Sequence, residues 1–312
     1  MIKLLKGDCL IESDKIESGS VDLILTDLPY GTVKDIKNVN HGMSGKCDWD
    51  VVIDTDKIMQ IANRILRKNG KMILTAQQPF TNELISKSIP NMAFSYSMIW
   101  EKDHFANALT AKKAPLNYYE DVLVFSKQDD IEGLHPLREY SLKLKEWIGF
   151  NCSQINNKLG NRSAVHFFSN SYNQFYNQFK ICNEKTYKSL IELFRIDRFE
   201  HFLTYEELKK KHSVYLSTFN LWEGKKYKSN ILKYKKDYDG HHPTQKPVLL
   251  LEDLIKTFSN ENDLVVDLTM GSGSTMVACQ NTKRNGIGIE QDDKYYKIAH
   301  QRIKENKVKE ET

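Results

Sequence analysis

Two short segments near opposite ends of the chain hold the residue types best suited to chemistry. Asp27-Leu28-Pro29-Tyr30 closes an apolar run near the amino end, and Asp267-Leu-Thr-Met-Gly271-Ser-Gly273-Ser-Thr275 closes another near the carboxyl end. The first suits the gripping of an exposed amine. An exocyclic amine on adenine or cytosine is a poor nucleophile, because its lone pair is delocalised into the ring. Hydrogen bonds accepted from its two N–H groups draw the nitrogen toward a tetrahedral, attacking geometry. Asp27 supplies one acceptor and the Leu28 carbonyl a second, Pro29 stiffens the turn, and Tyr30 offers a face for a base that has left the duplex. The competing reading of these four residues is an Asx-Pro turn that closes a strand, with Tyr30 in the core.

The second segment suits a small ligand that comes close to the backbone. Val265-Val266-Asp267, the Gly271-Ser272-Gly273 turn and a helix from about Ser274 form a strand–turn–helix unit with an open helix amino terminus. Glu290 ends the next strand, where a carboxylate can take both hydroxyls of a ribose. Met276 stands where a dinucleotide fingerprint would carry its third glycine, which favours a ligand with ribose and adenine but no pyrophosphate. The alternative is a glycine turn without function and a surface acid at 290.

The elements that must position these segments follow from periodicity. Val21–Thr26 reads as a buried parallel strand that delivers Asp27 at its carboxyl end. Asp56–Leu66 has helical spacing, Lys71–Thr75 is a second strand, and Ser95–Trp100 and Asp121–Phe125 extend the pattern. Residues 31–50, rich in glycine and asparagine, have the composition of a mobile loop. Strand-like runs vanish between about Ser126 and Gly240, where Phe199–Leu216 contains a lysine-rich helix and the aromatic 166–179 stretch suits a core. The α/β pattern then resumes with Val248–Phe258 as helix, Leu264–Asp267 as strand, Ser274–Thr282 as helix and Gly286–Glu290 as strand; Lys304–Thr312 reads as a frayed charged tail. The expected organisation is residues 1–126 as one half of an α/β domain, 127–226 as a mainly helical insert and 227–312 as the second half.

Bulk properties narrow the class. The 312 residues are 40% hydrophobic and 28% charged, with a net charge of +4, so a nucleic-acid partner must be argued from where charge lies. Lys225, Lys226, Lys228 and Lys233 belong to a run that holds six lysines within residues 225–236, has no acids and is interleaved with tyrosine; such a run suits phosphate contacts. Five scattered cysteines without a C-x-x-C pair indicate reduced thiols rather than a disulfide or zinc framework. No apolar run is long enough for a membrane span, and the polar start is unlike a secretion signal, which points to a cytoplasmic protein. The His241-His242 pair has no partner at ligand spacing, so no metal is expected.

In order and type these blocks resemble the beta-class, permuted family of amino-directed DNA methyltransferases that use S-adenosylmethionine. The family's D-P-P-Y resembles Asp27–Tyr30, and its D-P-F-x-G-S-G-[ST]-T resembles the segment that contains Asp267, Thr269, Gly271, Ser272, Gly273, Ser274 and Thr275. Lys6-Gly7-Asp8-Cys9-Leu10 resembles its G-D-x-L start, Lys46–Asp50 its N-K-W-D stretch, and His242-Pro-Thr244-Gln245-Lys246-Pro247 its H-P-T-Q-K-P block. Leu66–Gly70, Trp100–Lys102 and Glu120–Phe125 match sheet segments, so the likeness covers about residues 1–126 and 227–303. It implies a Rossmann-like, doubly wound, seven-stranded, mostly parallel sheet, circularly permuted, with an inserted target-recognition domain.

It further implies a cofactor, S-adenosylmethionine, held by Asp8, Cys9, Leu10, Thr244, Gln245, Lys246, the 267–275 segment and Glu290. The implied partner is double-stranded DNA in a bacterial or phage-infected cell, and a homodimer and a separately acting restriction nuclease are further partners it allows. Asp at position 27 leans toward adenine N6. Cytosine N4, RNA, a protein amide, or a silent DNA-binding relative are the alternatives. Leu28 departs from the usual proline, and Leu268-Thr269 from the usual Pro-Phe, which removes an aromatic wall from the cofactor pocket.

Overall fold

The computed structural model describes residues 1–30, 53–106, 111–128, 136–168, 179–213, 216–221, 224–237 and 245–311. The 31–50 segment, the N-K-W-D-like stretch, the His241-His242 pair and Thr244 lie outside them. By chain contacts the protein divides into two units, residues 1–128 with 218–312 and residues 129–217. Residues 218–226, expected in the insert, belong to the first unit.

The first unit is built on one sheet. Its strands are β1 (Ile2–Lys6), β2 (Val21–Thr26), β3 (Leu66–Ala76), β4 (Met92–Ala106), β5 (Asn117–Lys127), β6 (Ile231–Lys233), β7 (Leu264–Asp267) and β8 (Asn285–Glu290). They lie in the order β1-β8-β7-β2-β3-β5-β4-β6. β5 runs antiparallel to β3 and β4, and the other pairings are parallel. The described residues form eight strands where seven are expected, because β6 falls inside the lysine-rich run that the sequence presents only as charge.

Side chains alternate across this sheet, as strand geometry requires. On β2, Ile24 joins one apolar cluster and Leu23 and Leu25 the other. Helices α2 (Thr55–Ile65) and α3 (Phe80–Ser86) cover the first face through Ile58, Met59, Ala62, Ile65, Phe80 and Leu84. Helices α9 (Val248–Phe258), α10 (Ser274–Asn281) and α11 (Asp293–Glu311) cover the second through Leu250, Leu254, Met276 and Ala299. Each fully buried aliphatic side chain stabilises by about 1.5–3 kcal/mol, so a charge at position 24 would unseat the central strand. The expected frayed tail is helical, since α11 continues to Glu311.

Local signals set the element ends. Asp54 caps α2 by accepting from the Asp56 and Lys57 amides. Gly273 stands at the cap before α10, where its φ of 84° suits glycine, and a Cβ there would come 2.8 Å from the Ala299 Cβ.

The second unit, by itself, is helical among its described residues. It holds α4 (Pro136–Ile148), α5 (Cys152–Leu159), α6 (Val165–Phe168), α7 (Glu184–Phe194) and α8 (Tyr205–Ser213). Phe167, Phe168 and Phe179 are buried with Leu144, Tyr187 and Leu190, so the described ends of the 166–179 stretch are core.

Candidate functional site

β2 and β7 are neighbours whose onward connections leave in opposite directions, β2 toward β3 and β7 toward β8. In a parallel sheet this opens a crevice beyond the carboxyl ends of the two strands. Asp27 and Asp267 stand there, one at each strand end.

Hydroxyls tie the two segments together. Thr26 donates to Asp267 Oδ1 at 2.8 Å and Thr269 to the Asp27 carbonyl at 2.9 Å, a contact that spans 242 residues of sequence. The Thr26 and Thr269 hydroxyls are 2.8 Å apart. Thr269, where the family carries an aromatic residue, is therefore part of the joint between the segments. Leu268 is buried in the core.

Around Asp27 two hydroxyls are joined by an ammonium. Its Oδ1 accepts from the Tyr30 hydroxyl at 2.8 Å and from Thr75, and its Oδ2 accepts from Lys246 at 2.6 Å. Lys246 also lies 3.1 Å from Glu120 Oε2, and Glu120 Oε1 accepts from Lys102 at 2.8 Å and Gln77 at 3.3 Å. Burial opposes the charge on Glu120, but Lys246 and Lys102 outweigh it and hold its carboxyl below the ordinary value. Burial likewise opposes the Lys246 charge, and Asp27 and Glu120 overcome it, so the ammonium is held above the ordinary lysine value. Burial, then Asp27 and Glu120, push the Tyr30 phenol well up, so it stays neutral. The Tyr30 ring sits 5.4 Å from Phe80, and the Leu28 side chain enters the core, which leaves any role at the site to its carbonyl.

Around Asp267 the partners are neutral. Besides Thr26, the Thr269 amide donates to its Oδ1 at 3.1 Å, and burial pushes its carboxyl up to about 6 against the opposing hydrogen bonds from Thr275, Thr26 and Thr269. Glu290 accepts from the Gly271 amide at 2.9 Å and the Asp292 amide at 2.7 Å, and burial raises its pKa too. Asp8 caps α1 (Cys9–Glu12), accepting from Leu10 at 2.9 Å, and burial takes the Cys9 thiol up to about 12. β1 and β8 are paired, with Lys6 opposite Glu290, so Asp8 and Glu290 follow neighbouring strand ends. Two such carboxylates suit a ligand rich in hydroxyl and amine donors.

Several expected cofactor contacts are taken up by the protein itself. Ser272 and Ser274 accept from Arg302 of α11 at 3.1 Å each, and Ser272 donates to Gln245 at 3.3 Å. Gly273 makes room for Ala299, a packing reason for a residue read as making room for a ligand. Lys246, expected with the cofactor, puts its ammonium on Asp27 instead. Of the basic run, Lys228 turns inward to Asp253 at 2.5 Å, both groups largely out of water, and is occupied as an ion pair. Lys225 and Lys226 are exposed, and Lys233 is an exposed partner of Glu101. Thr75, Gln77 and Lys102 had no role in the sequence reading, and Glu120 stood only as the start of a strand.

Comparison with known proteins gives the family. A family model of N6/N4 methyltransferases, described as DNA methylase, matches residues 21–301. The type II methyltransferase M.HindIII of Haemophilus influenzae is 22% identical over 96% of this chain and 94% of its own. The DNA adenine methyltransferase YhdJ of Escherichia coli is 25% identical over 96% of this chain and 82% of its own. The crystal structure of the M1.HpyAVI–SAM complex superposes with a TM-score of 0.54 at 18% identity, covering 97% of this chain and 99% of that one. PvuII DNA methyltransferase, cytosine-N4-specific, gives 0.53 at 13% identity, covering 99% and 92%. At these identities the structures speak for the fold.

Proposed function

The chain belongs to the DNA methylase family of N6/N4 methyltransferases, and on that premise we propose that it methylates the N6 amine of adenine in double-stranded DNA. The observation that carries this reading is the joint between its two halves: the Thr269 hydroxyl on the Asp27 carbonyl at 2.9 Å sets an amine-gripping turn beside a ligand-binding one. The cofactor is S-adenosylmethionine, which when bound supplies the methyl group as a sulfonium. Asp8 and Glu290 fit it by chemistry, as acceptors for an adenine amine and a ribose diol.

The remaining steps belong to the chain's own residues. Asp27 accepts one amine N–H and the Leu28 carbonyl the other, while Tyr30 stacks on the extruded base. Held this way, the amine nitrogen is the atom that would take up the methyl group supplied by a bound sulfonium. Tyr30 stays a phenol and Lys246 an ammonium, so neither takes the amine proton. Asp27 is the carboxylate placed for it. Most of the acceleration then comes from alignment rather than strong acid–base chemistry.

Asp at position 27 supports adenine over cytosine N4. The protein works, in this reading, in the cytoplasm of a bacterium or phage-infected cell, with residues 129–217 choosing the site and a separate nuclease as its counterpart. Long-read sequencing of modified bases, on DNA from cells expressing the chain, tests base and context together. N6-methyladenine in one sequence context is the expected result. N4-methylcytosine would transfer the proposal to the alternative base, and unmodified DNA would overturn it.

A further inference from the structure

The acceptor capacity of Asp27 is nearly spent before any base arrives. A carboxylate offers about four lone-pair sites. Two on Oδ1 are filled by the hydroxyls of Tyr30 and Thr75, and one on Oδ2 by Lys246 at 2.6 Å. Among the described residues' contacts one site remains, on the oxygen that Lys246 caps. Where that site points depends on where the ammonium is held.

Lys246 is held from behind by Glu120, which reaches it at 3.1 Å through an oxygen with no hydrogen-bond partner, the other oxygen being fixed by Lys102 and Gln77. Glu120 and Lys102 face each other from β5 and β4, rooted in strands rather than loops. Their side chains are 10% and 3% exposed, so neither charge is free to swing into water. We propose that Glu120 is a positioning residue for the methyl transfer: backed by Lys102, it fixes the Lys246 ammonium on Asp27, so that the one vacant acceptor site of Asp27 faces the target amine. This rests on the amine-methylation reading above and assigns a task to a residue that need not touch base or cofactor.

Removal of Glu120 alone leaves two buried ammonium groups facing one carboxylate, which destabilises any protein. The test therefore pairs Glu120→Gln with Lys102→Met, which restores charge balance but leaves Lys246 without its anchor. Single-turnover methyl transfer to duplex DNA, KM for S-adenosylmethionine and thermal melting are measured on wild type, both single variants and the double variant. Glu120→Gln should slow transfer about 10- to 100-fold, the range expected for a small misplacement of reacting groups, with KM for the cofactor within twofold. The double variant should recover the melting temperature and not the rate.

Recovery of the rate along with the melting temperature would overturn the proposal, since Glu120 would then matter only to stability. So would an unslowed Glu120→Gln. A wild type that transfers no methyl to DNA would instead defeat the functional reading, which keeps the two failures apart.

Discussion

Asp27 and Asp267 leave neighbouring strands and both accept hydroxyls, yet in the described contacts only Asp27 is also met by an ammonium. On the Asp27 side, Lys246, Glu120 and Lys102 form a row of alternating charges that keeps Glu120 and Lys246 ionised. On the Asp267 side no cation answers the carboxylates in the described contacts, and burial lifts both Asp267 and Glu290. The contrast fits two tasks. A group that must grip an amine gains from a fixed charge, whereas a turn that receives hydroxyl-rich ligands gains from oriented dipoles that attract them without a counter-ion.

The sharpest way to break the contrast is Asp27→Ala. Transfer should fall by about 10²–10³-fold or more, as for the loss of an oriented electrostatic group, while calorimetry still finds S-adenosylmethionine bound with affinity near that of wild type. Equal loss of both would merge the two sides into one.

Asp267→Asn addresses the other side through pH. The folded carboxyl is raised to about 6 from the ordinary 3.8, so between these values the native state holds more protons than the unfolded chain. Wild type should therefore lose stability as pH rises through that window, by up to about 3 kcal/mol. The asparagine variant, which cannot ionise, should not. Melting curves from pH 4 to 8 should show the variant gaining on wild type as pH rises. A constant difference would mean that the hydroxyls and amides meet the full cost of the charge.

These contrasts were only partly legible in the sequence. Val21–Thr26, Val248–Phe258 and Leu264–Asp267 have the same bounds in the structure, because continuous apolar runs and helical periodicity report burial directly. β6 is not legible because its ends face water and it lies within a lysine-rich run, so only its pairing with β4 makes it a strand. Both ends of the site were visible as types and spacing. The charge row was not, since Glu120 and Lys246 are far apart in sequence and no periodicity links them. Arg302, which buttresses Ser272 and Ser274, was hidden in the same way, in a helix whose end read as a loose tail.

Glu290→Ala sharpens the assignment of the dipolar side to the cofactor. A carboxylate that receives hydroxyls contributes about 1.5–3 kcal/mol per charged hydrogen bond, so S-adenosylmethionine affinity should drop at least about tenfold by calorimetry. At saturating cofactor, transfer should stay within about threefold of wild type. A collapse of the saturated rate would place Glu290 with Asp27 instead.

Tyr30→Phe probes the boundary between the two regimes and carries the smallest effect. The ring that would stack on the base survives, while the hydroxyl that reaches Asp27 Oδ1 is lost. Thr75 still donates to that oxygen and Lys246 to the other, so Asp27 keeps two of its three donors. One net hydrogen bond is worth about 0.5–1.5 kcal/mol, so the rate should fall about two- to tenfold with DNA affinity unchanged. Tyr30→Ala, measured beside it, should lose stacking as well and weaken DNA binding and rate together. If the phenylalanine variant were as impaired as the alanine one, the phenol and not the ring face would be the working part of Tyr30, and the charged row would extend one residue further toward the base.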